Sequence, residues 1–151
     1  MNQKMSTSTE EAITWTCKST WRKASVNTLW CLLGCSIGDF GTILFFQYSS
    51  YSLATEYIML LAIINGIITS IALETFILSL SQSLKSAFKT AVGMSLISMI
   101  SMEIAMNLVD VIITGGAMIN IYVIFPMLLA GFITPLPYNY YRIKKYNKSC
   151  H

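Results

Sequence analysis

Four of the seven acidic residues of this 151-residue chain lie inside long apolar stretches, where a carboxyl group is difficult to keep charged. They are Asp39, Glu74, Glu103 and Asp110. A carboxyl in hydrocarbon must be protonated, hydrated in a cavity or neutralised by a bound cation. Counted at about 1.5 Å per residue, Asp39 and Glu103 lie near the middle of their stretches and predict a cation-binding pair. The alternative interpretation is a protonated pair with a structural role.

The third apolar stretch concentrates its polar residues on one side. At about 100° per helical residue, one half of its circumference holds Ser95, Ser98, Met99, Met102, Glu103, Met106, Asn107 and Asp110. Apolar residues such as Ile100 and Ile104 occupy the other half. In lipid, a face of this polarity is expected to look into a helix bundle. The face therefore predicts a cation pathway that includes Asn107, or a hydrogen-bonding seam in which Met side chains fill gaps.

Sulfur-containing side chains form a second candidate site. The candidate ligands are Cys31, Cys35, Met99, Met102, Met106, Cys150 and His151. Cys31 and Cys35 are one helical turn apart, where Cβ atoms stand ~5–6 Å from each other, whereas a disulfide needs ~3.5–4.5 Å. Cys17 and Cys150 are expected to face the reducing cytoplasm, so the four cysteines are predicted to form no disulfide framework. Thiolates and thioethers select Cu(I) among biological metals, so these residues predict a path for that ion.

Four elements must position these side chains. The apolar stretches are Leu29 to Phe46, Tyr57 to Leu80, Ala87 to Ile113 and Met118 to Leu136, each near or above the ~20 residues that cross a bilayer as a helix. Charged residues make up 11% of the chain, about half the share in soluble domains. Short connections, including the tight turn at Thr114–Gly115–Gly116, require antiparallel neighbours. The predicted fold is an all-α integral membrane protein, an up-down four-helix transmembrane bundle.

The ends of this bundle are also predicted. A capping-box pattern at Thr7 and Glu10 opens a short interfacial amphipathic helix that runs to Lys23, the alternative being a disordered tail. Pro126 is expected to kink the fourth span, and Pro135 and Pro137 to end it. Residues 1–27 are thus an interfacial segment, 28–137 the transmembrane domain, and 138–151 a basic, Tyr-rich tail.

Basic residues predict the orientation. All ten Lys and Arg flank the four stretches, Lys89 standing at the start of the third, and the first and third connections contain none. Four spans then place every cation on one side, which predicts a multi-pass protein of the cytoplasmic (inner) membrane with both termini cytoplasmic. Glu74 would lie nearer the inner surface and Asp110 nearer the outer one. The net charge of +3 follows from this asymmetry and does not indicate a nucleic-acid partner.

Three strings carry a family resemblance. They are WCLLGCSIGD at 30–39, SMISMEIAMN at 98–107 and PLPYNY at 135–140. In this order they resemble the bacterial membrane family known as domain of unknown function 4396. The resemblance implies a small multi-span inner-membrane protein without an established activity, and it transfers no catalytic residues.

The sequence leads to one principal hypothesis and one rival. The principal hypothesis is that the bundle binds or moves a cation, Cu(I) first and a proton next, with no other cofactor expected. Gly34 and Gly38 form a G-x-x-x-G pattern that predicts an oligomer or a membrane partner on that face, besides lipid. The rival is a structural or assembly subunit. An enzyme is not expected, because no nucleophile–base pair is visible.

Overall fold

The computed structural model describes residues 15–147 and is helical throughout apart from short connections. The helices are α1 (Lys18–Tyr48), α2 (Thr55–Ser79), α3 (Leu84–Thr114), α4 (Ile121–Ile133) and α5 (Leu136–Asn147). Four segments are long and apolar enough to cross a membrane: Lys18–Tyr48, Thr55–Ser79, Ser95–Thr114 and Ile121–Lys145. The predicted class, an all-α multi-pass membrane protein with a four-helix bundle, is confirmed.

Helices that follow one another along the chain pack against one another, and α5 returns to pack on α1. Asn139 of α5 donates a hydrogen bond to Thr28 Oγ1 of α1 at 2.7 Å. At the other end, the backbone N–H of Ile119 donates to Gln47 Oε1 at 3.1 Å. We call the end that holds the start of α1, the α2–α3 connection and α5 the basic end, because the described Lys and Arg residues lie there.

Glycines of α1 allow α2 to approach its backbone closely. A Cβ atom on Gly34 would lie 2.6 Å from Ser70 Cα, and one on Gly38 would overlap the carbonyl of Asn65. Thr69 Oγ1 donates to the Gly34 carbonyl at 2.6 Å across the same contact. The Gly34/Gly38 face is therefore covered by α2 within the chain, and association through it stays a prediction. The close approach that G-x-x-x-G permits is realised between α1 and α2. Oligomerisation itself stays a prediction.

The α3–α4 connection is the predicted tight turn. Gly115 caps α3 in the left-handed conformation with φ of 77°, and its N–H bonds to the carbonyl of Val111. A side chain would be strained at this φ, which explains glycine here. Asp110 ties the turn down by accepting hydrogen bonds from Thr114 Oγ1 at 3.1 Å and from the Met118 N–H at 3.1 Å.

The fourth span is built from two helices. With 13 residues, α4 is about 20 Å long, short of the ~30 Å of hydrocarbon, so the span continues into α5. Pro126 lies inside α4, and α4 ends at Ile133, before Pro135, but the apolar span runs on to Lys145, so the prediction that Pro135 and Pro137 end the span is wrong. Pro137 does not end the helical segment, because it falls in the first turn of α5, where its missing N–H is not needed.

The start of the described chain differs from the predicted interfacial helix. Lys18–Lys23 form the first turns of α1, continuous with the span, while Thr7 to Ile13 lie outside the described residues. Trp21 packs against Tyr140 of α5 with ring centroids 4.4 Å apart, so this segment is held by tertiary contacts. Cys17 is disulfide-bonded, which corrects the prediction of no disulfide at this one position.

Candidate functional site

The polar face of α3 lies inside the bundle, as its periodicity predicted. Glu103 and Asp110 are completely buried, and Asn107 is nearly so. On the opposite side, Ile97 and Ile104 are more than half exposed, the arrangement expected of a lipid-facing surface. The separation of the two faces is therefore confirmed.

Asp39 of α1 meets this face at the middle of the bundle. Asn107 Nδ2 donates a hydrogen bond to Asp39 Oδ1 at 3.1 Å and a second one to the Glu103 carbonyl at 3.0 Å. Asp39 and Glu103 are both fully buried and close enough for their charges to interact. We call Asp39, Glu103 and Asn107 the central acid cluster. The two acids predicted as a cation-binding pair are thus brought together around Asn107, and cation binding stays a prediction.

The central acid cluster is poorly satisfied by its surroundings. Within residues 15–147, no hydrogen-bond partner exists for Asp39 Oδ2, for either carboxylate oxygen of Glu103, or for Asn107 Oδ1. The Cys35 thiol lies near enough to Glu103 to interact with it, though without hydrogen-bond geometry. The neighbours that act on the two carboxyls are amide, thiol and carboxyl groups, none of them cationic. Buried polar atoms are ordinarily paired, so this concentration of unpaired oxygens calls for an explanation.

A glycine of α2 provides the space for Glu103. A Cβ atom on Gly66 would collide with the Glu103 carboxylate and would lie 3.0 Å from the Cys35 carbonyl oxygen. Gly66 is therefore the position that lets a long acidic side chain fit between α1, α2 and α3. Sequence reasoning missed it, because an isolated glycine in an apolar stretch has no pattern that separates packing from chance.

The other two acids are arranged differently. Asp110 has hydrogen bonds to both oxygens and closes the α3–α4 turn. Glu74 lies toward the basic end and accepts a hydrogen bond from Ser95 at 2.6 Å. Arg142 of α5 donates to the same Ser95 hydroxyl at 3.4 Å. The four predicted pathway acids are thus one central pair and two separately bonded residues. The approach of buried Arg142 was not predicted, because residues 138–151 were expected to be a basic tail outside the bundle.

The sulfur-containing residues of the interior come together. Cys31, Cys35, Met99, Met102 and Met106 belong to one buried cluster with Leu32 and Val123. The cluster gains Met127 of α4, which sequence reasoning did not select, because nothing in a single Met marks its face. We call the two Cys and four Met residues the sulfur cluster. Cys150 and His151 lie outside the described residues. Within the described part of the chain, no group of three or more His, Cys, Asp and Glu side chains is placed to hold a metal ion.

Comparison with protein families found one match. A family model described as "Domain of unknown function (DUF4396)" matches residues 20–148, which confirms the resemblance noted from the three sequence strings. Comparisons with curated proteins and with solved structures found no match.

Proposed function

The chain belongs to the family of domain of unknown function 4396, and because that name assigns no activity, we propose a function from the buried carboxyls. The bundle binds a proton, or a small cation in its place, at the Asp39–Glu103 pair and exchanges it with the basic end. The basic end faces the cytoplasm of a bacterial cell in this proposal, as the distribution of Lys and Arg predicts.

One observation carries this proposal. Asp39 and Glu103 are fully buried side by side, and three of their four carboxylate oxygens have no hydrogen-bond partner among the described residues. Two neighbouring carboxylates in a medium of low dielectric cannot both stay ionised without a positive charge. None of these three oxygens is hydrogen-bonded to a Lys or Arg side chain among residues 15–147. A bound proton or cation is the simplest way to complete this site.

Polar groups connect the pair to the basic end. Cys35 interacts with Glu103 and also with Cys31, one turn away. Cys31 Sγ lies 3.5 Å from Ser70 Oγ, and Glu74 follows Ser70 by one turn of α2. Glu74 therefore serves in this proposal as the exchange group between the central pair and the basic end. Asp110 has no such role, because its oxygens already hold the α3–α4 turn.

The test compares wild type with Glu103→Gln in lipid vesicles. Infrared difference spectroscopy would detect the carbonyl stretch of a protonated carboxyl, and the rate at which this band responds to a rapid pH change would measure proton exchange with the basic end. Wild type is expected to give both signals. Glu103→Gln is expected to lose most of the carbonyl band and its response to pH, while Glu74→Gln keeps the band and slows the response.

Glu56→Gln is the matched control, because Glu56 is exposed at the start of α2 and the same atoms change. It should behave as wild type. Equal signals from Glu103→Gln and wild type would overturn the proposal. If both are silent and the variant folds normally, the rival function, a structural or assembly subunit, is the better explanation.

Cu(I) is the second candidate, favoured by the packing of four thioethers and two thiols into one cluster. These are soft ligands with the preference of Cu(I). In the proposal Cys31, Cys35, Met99, Met102, Met106 and Met127 supply the ligands.

The copper test is the metal retained by detergent-purified protein after loading with Cu(I). A Met102→Leu/Met106→Leu double variant should lose a stoichiometric ion, and Met118→Leu, which changes an exposed Met outside the cluster, should retain it. Equal copper in all three proteins, or none in wild type, removes copper from consideration.

A further inference from the structure

A groove runs along the outer surface of the bundle between α1 and α2. Its volume is about 510 Å³, and its lining includes Ile37, Gly41 and Phe45 of α1 and Leu61, Asn65 and Ile68 of α2. Ile37, Phe45 and Ile68 are each more than half exposed. The groove is therefore on the surface that the bundle turns toward lipid, on the side of α1 and α2 away from the central acid cluster.

Asn65 makes this groove unusual for a lipid-facing surface. It lies close to the middle of α2, and its side chain is exposed. Among the described residues, the Asn65 side chain makes one hydrogen bond, in which Nδ2 donates to Thr42 Oγ1 at 2.8 Å. An amide offers two donors and an acceptor with two lone pairs, so most of its capacity is left toward hydrocarbon, which cannot satisfy it. A polar partner on this surface would remove that cost.

The hydrogen-bonding capacity of the Asn65 amide and its depth in the membrane together identify the kind of partner. An amide is its own complement, since it both donates and accepts, whereas a carboxylate or an ammonium needs an opposite group. A two-fold axis along the membrane normal relates residues at equal depth, so Asn65 of one copy is brought to the depth of Asn65 in the other. Asn side chains hydrogen-bond across membrane helices in this way.

The shape of the groove agrees with self-association. A Cβ atom on Gly41 would meet nothing within 4 Å, so this position is an open depression one turn from Phe45, which is 61% exposed. One surface thus carries both a projecting ring and a depression, as an isologous interface requires. Gly34 and Gly38 are used inside the chain, which leaves Gly41 as the glycine of α1 that faces outward.

We propose that the α1–α2 groove is the interface of a parallel homodimer, with Asn65 of the two copies hydrogen-bonded at the centre. The dimer stands independently of proton or copper binding, because none of its contacts includes the central acid cluster or the sulfur cluster.

The test measures association of the full chain in lipid vesicles by energy transfer between donor- and acceptor-labelled copies, over a series of protein-to-lipid ratios. Wild type is expected to form dimers. Asn65→Leu should weaken association about tenfold, the size expected from one or two interhelical hydrogen bonds. Gly41→Leu fills the depression and should weaken association at least as much.

Gly93→Leu is the matched control, because Gly93 is an exposed glycine of α3 around which a Cβ atom also meets nothing. It should associate as wild type does. Association that survives both groove variants, or a wild-type chain that stays monomeric with a lipid acyl chain held in the groove, would overturn the dimer. Either result leaves the proton test at Glu103 unaffected.

Discussion

Glu103 and Asp110 lie two turns apart on one face of α3, both are fully buried, and their surroundings differ completely. Asp110 accepts hydrogen bonds from Thr114 and from the Met118 N–H, and through them it closes the α3–α4 turn. The Glu103 carboxylate accepts none within the described residues and lies over Gly66 beside a second acid, Asp39. Both residues are fully buried carboxylic acids, and only the hydrogen bonds to their carboxylate oxygens distinguish them.

This difference separates a structural acid from a candidate functional one. A buried carboxyl whose oxygens are satisfied contributes to stability, since removing it would orphan its donors. A buried carboxyl without partners is a cost to stability unless something binds to it, and such costs are typical of functional sites. The comparison predicts opposite responses to substitution at the two positions.

The largest effect on stability is expected at the glycine beneath Glu103. Gly66→Leu should lower the free energy of unfolding by about 3 kcal/mol or prevent folding, because its side chain would enter the space of the Glu103 carboxylate and press on the Cys35 carbonyl, which is backbone and cannot swing aside. Denaturation in mild detergent measures the change, with Gly93→Leu as a control that should show no loss. A Gly66→Ala/Glu103→Ala double variant should recover part of the Gly66→Ala loss, since the contact is removed from both sides. Full additivity would place Glu103 away from Gly66.

The second-largest effect tests the difference between Asp110 and Glu103 most directly. Asp110→Leu should cost about 1–3 kcal/mol of unfolding free energy, because the Met118 N–H loses its acceptor and the α3–α4 turn loosens. Glu103→Met, which replaces a carboxyl of similar length with an apolar group, should leave stability unchanged or raise it. Both variants are compared by denaturation in the same detergent. A large loss at Glu103 with none at Asp110 would reverse the assignment of roles.

The smallest effect is expected in the sulfur cluster. Met102→Leu/Met106→Leu conserves volume in a dry, packed region and should change the unfolding free energy by less than about 1.5 kcal/mol. The same denaturation experiment checks it. A much larger loss in metal-free protein would show that these Met side chains are needed for packing. Copper retention would then be measured in single variants of Met99 and of Met127 instead.

The sequence by itself determined the class of this protein, its spans and the inward face of α3. The spans and the flanking positions of Lys and Arg can be predicted from the sequence, because hydrocarbon excludes charged groups and unpaired backbone groups however the helices pack. The 3.6-residue period then places Glu103, Asn107 and Asp110 on one face before any partner is known. The family resemblance could also be recognised from the sequence, because it rests on short continuous strings of residues.

Tertiary structure decided which of those residues meet which others. That Gly34 and Gly38 contact α2, that Gly66 accommodates Glu103, and that Arg142 approaches Ser95 all depend on how the helices rotate and slide against one another. The period of a helix gives its face but not its neighbour, and the choice of neighbour depends on packing between side chains far apart in the chain. The same is true of Gly41 and Asn65, because only the packed bundle shows that these two residues lie on its outer surface.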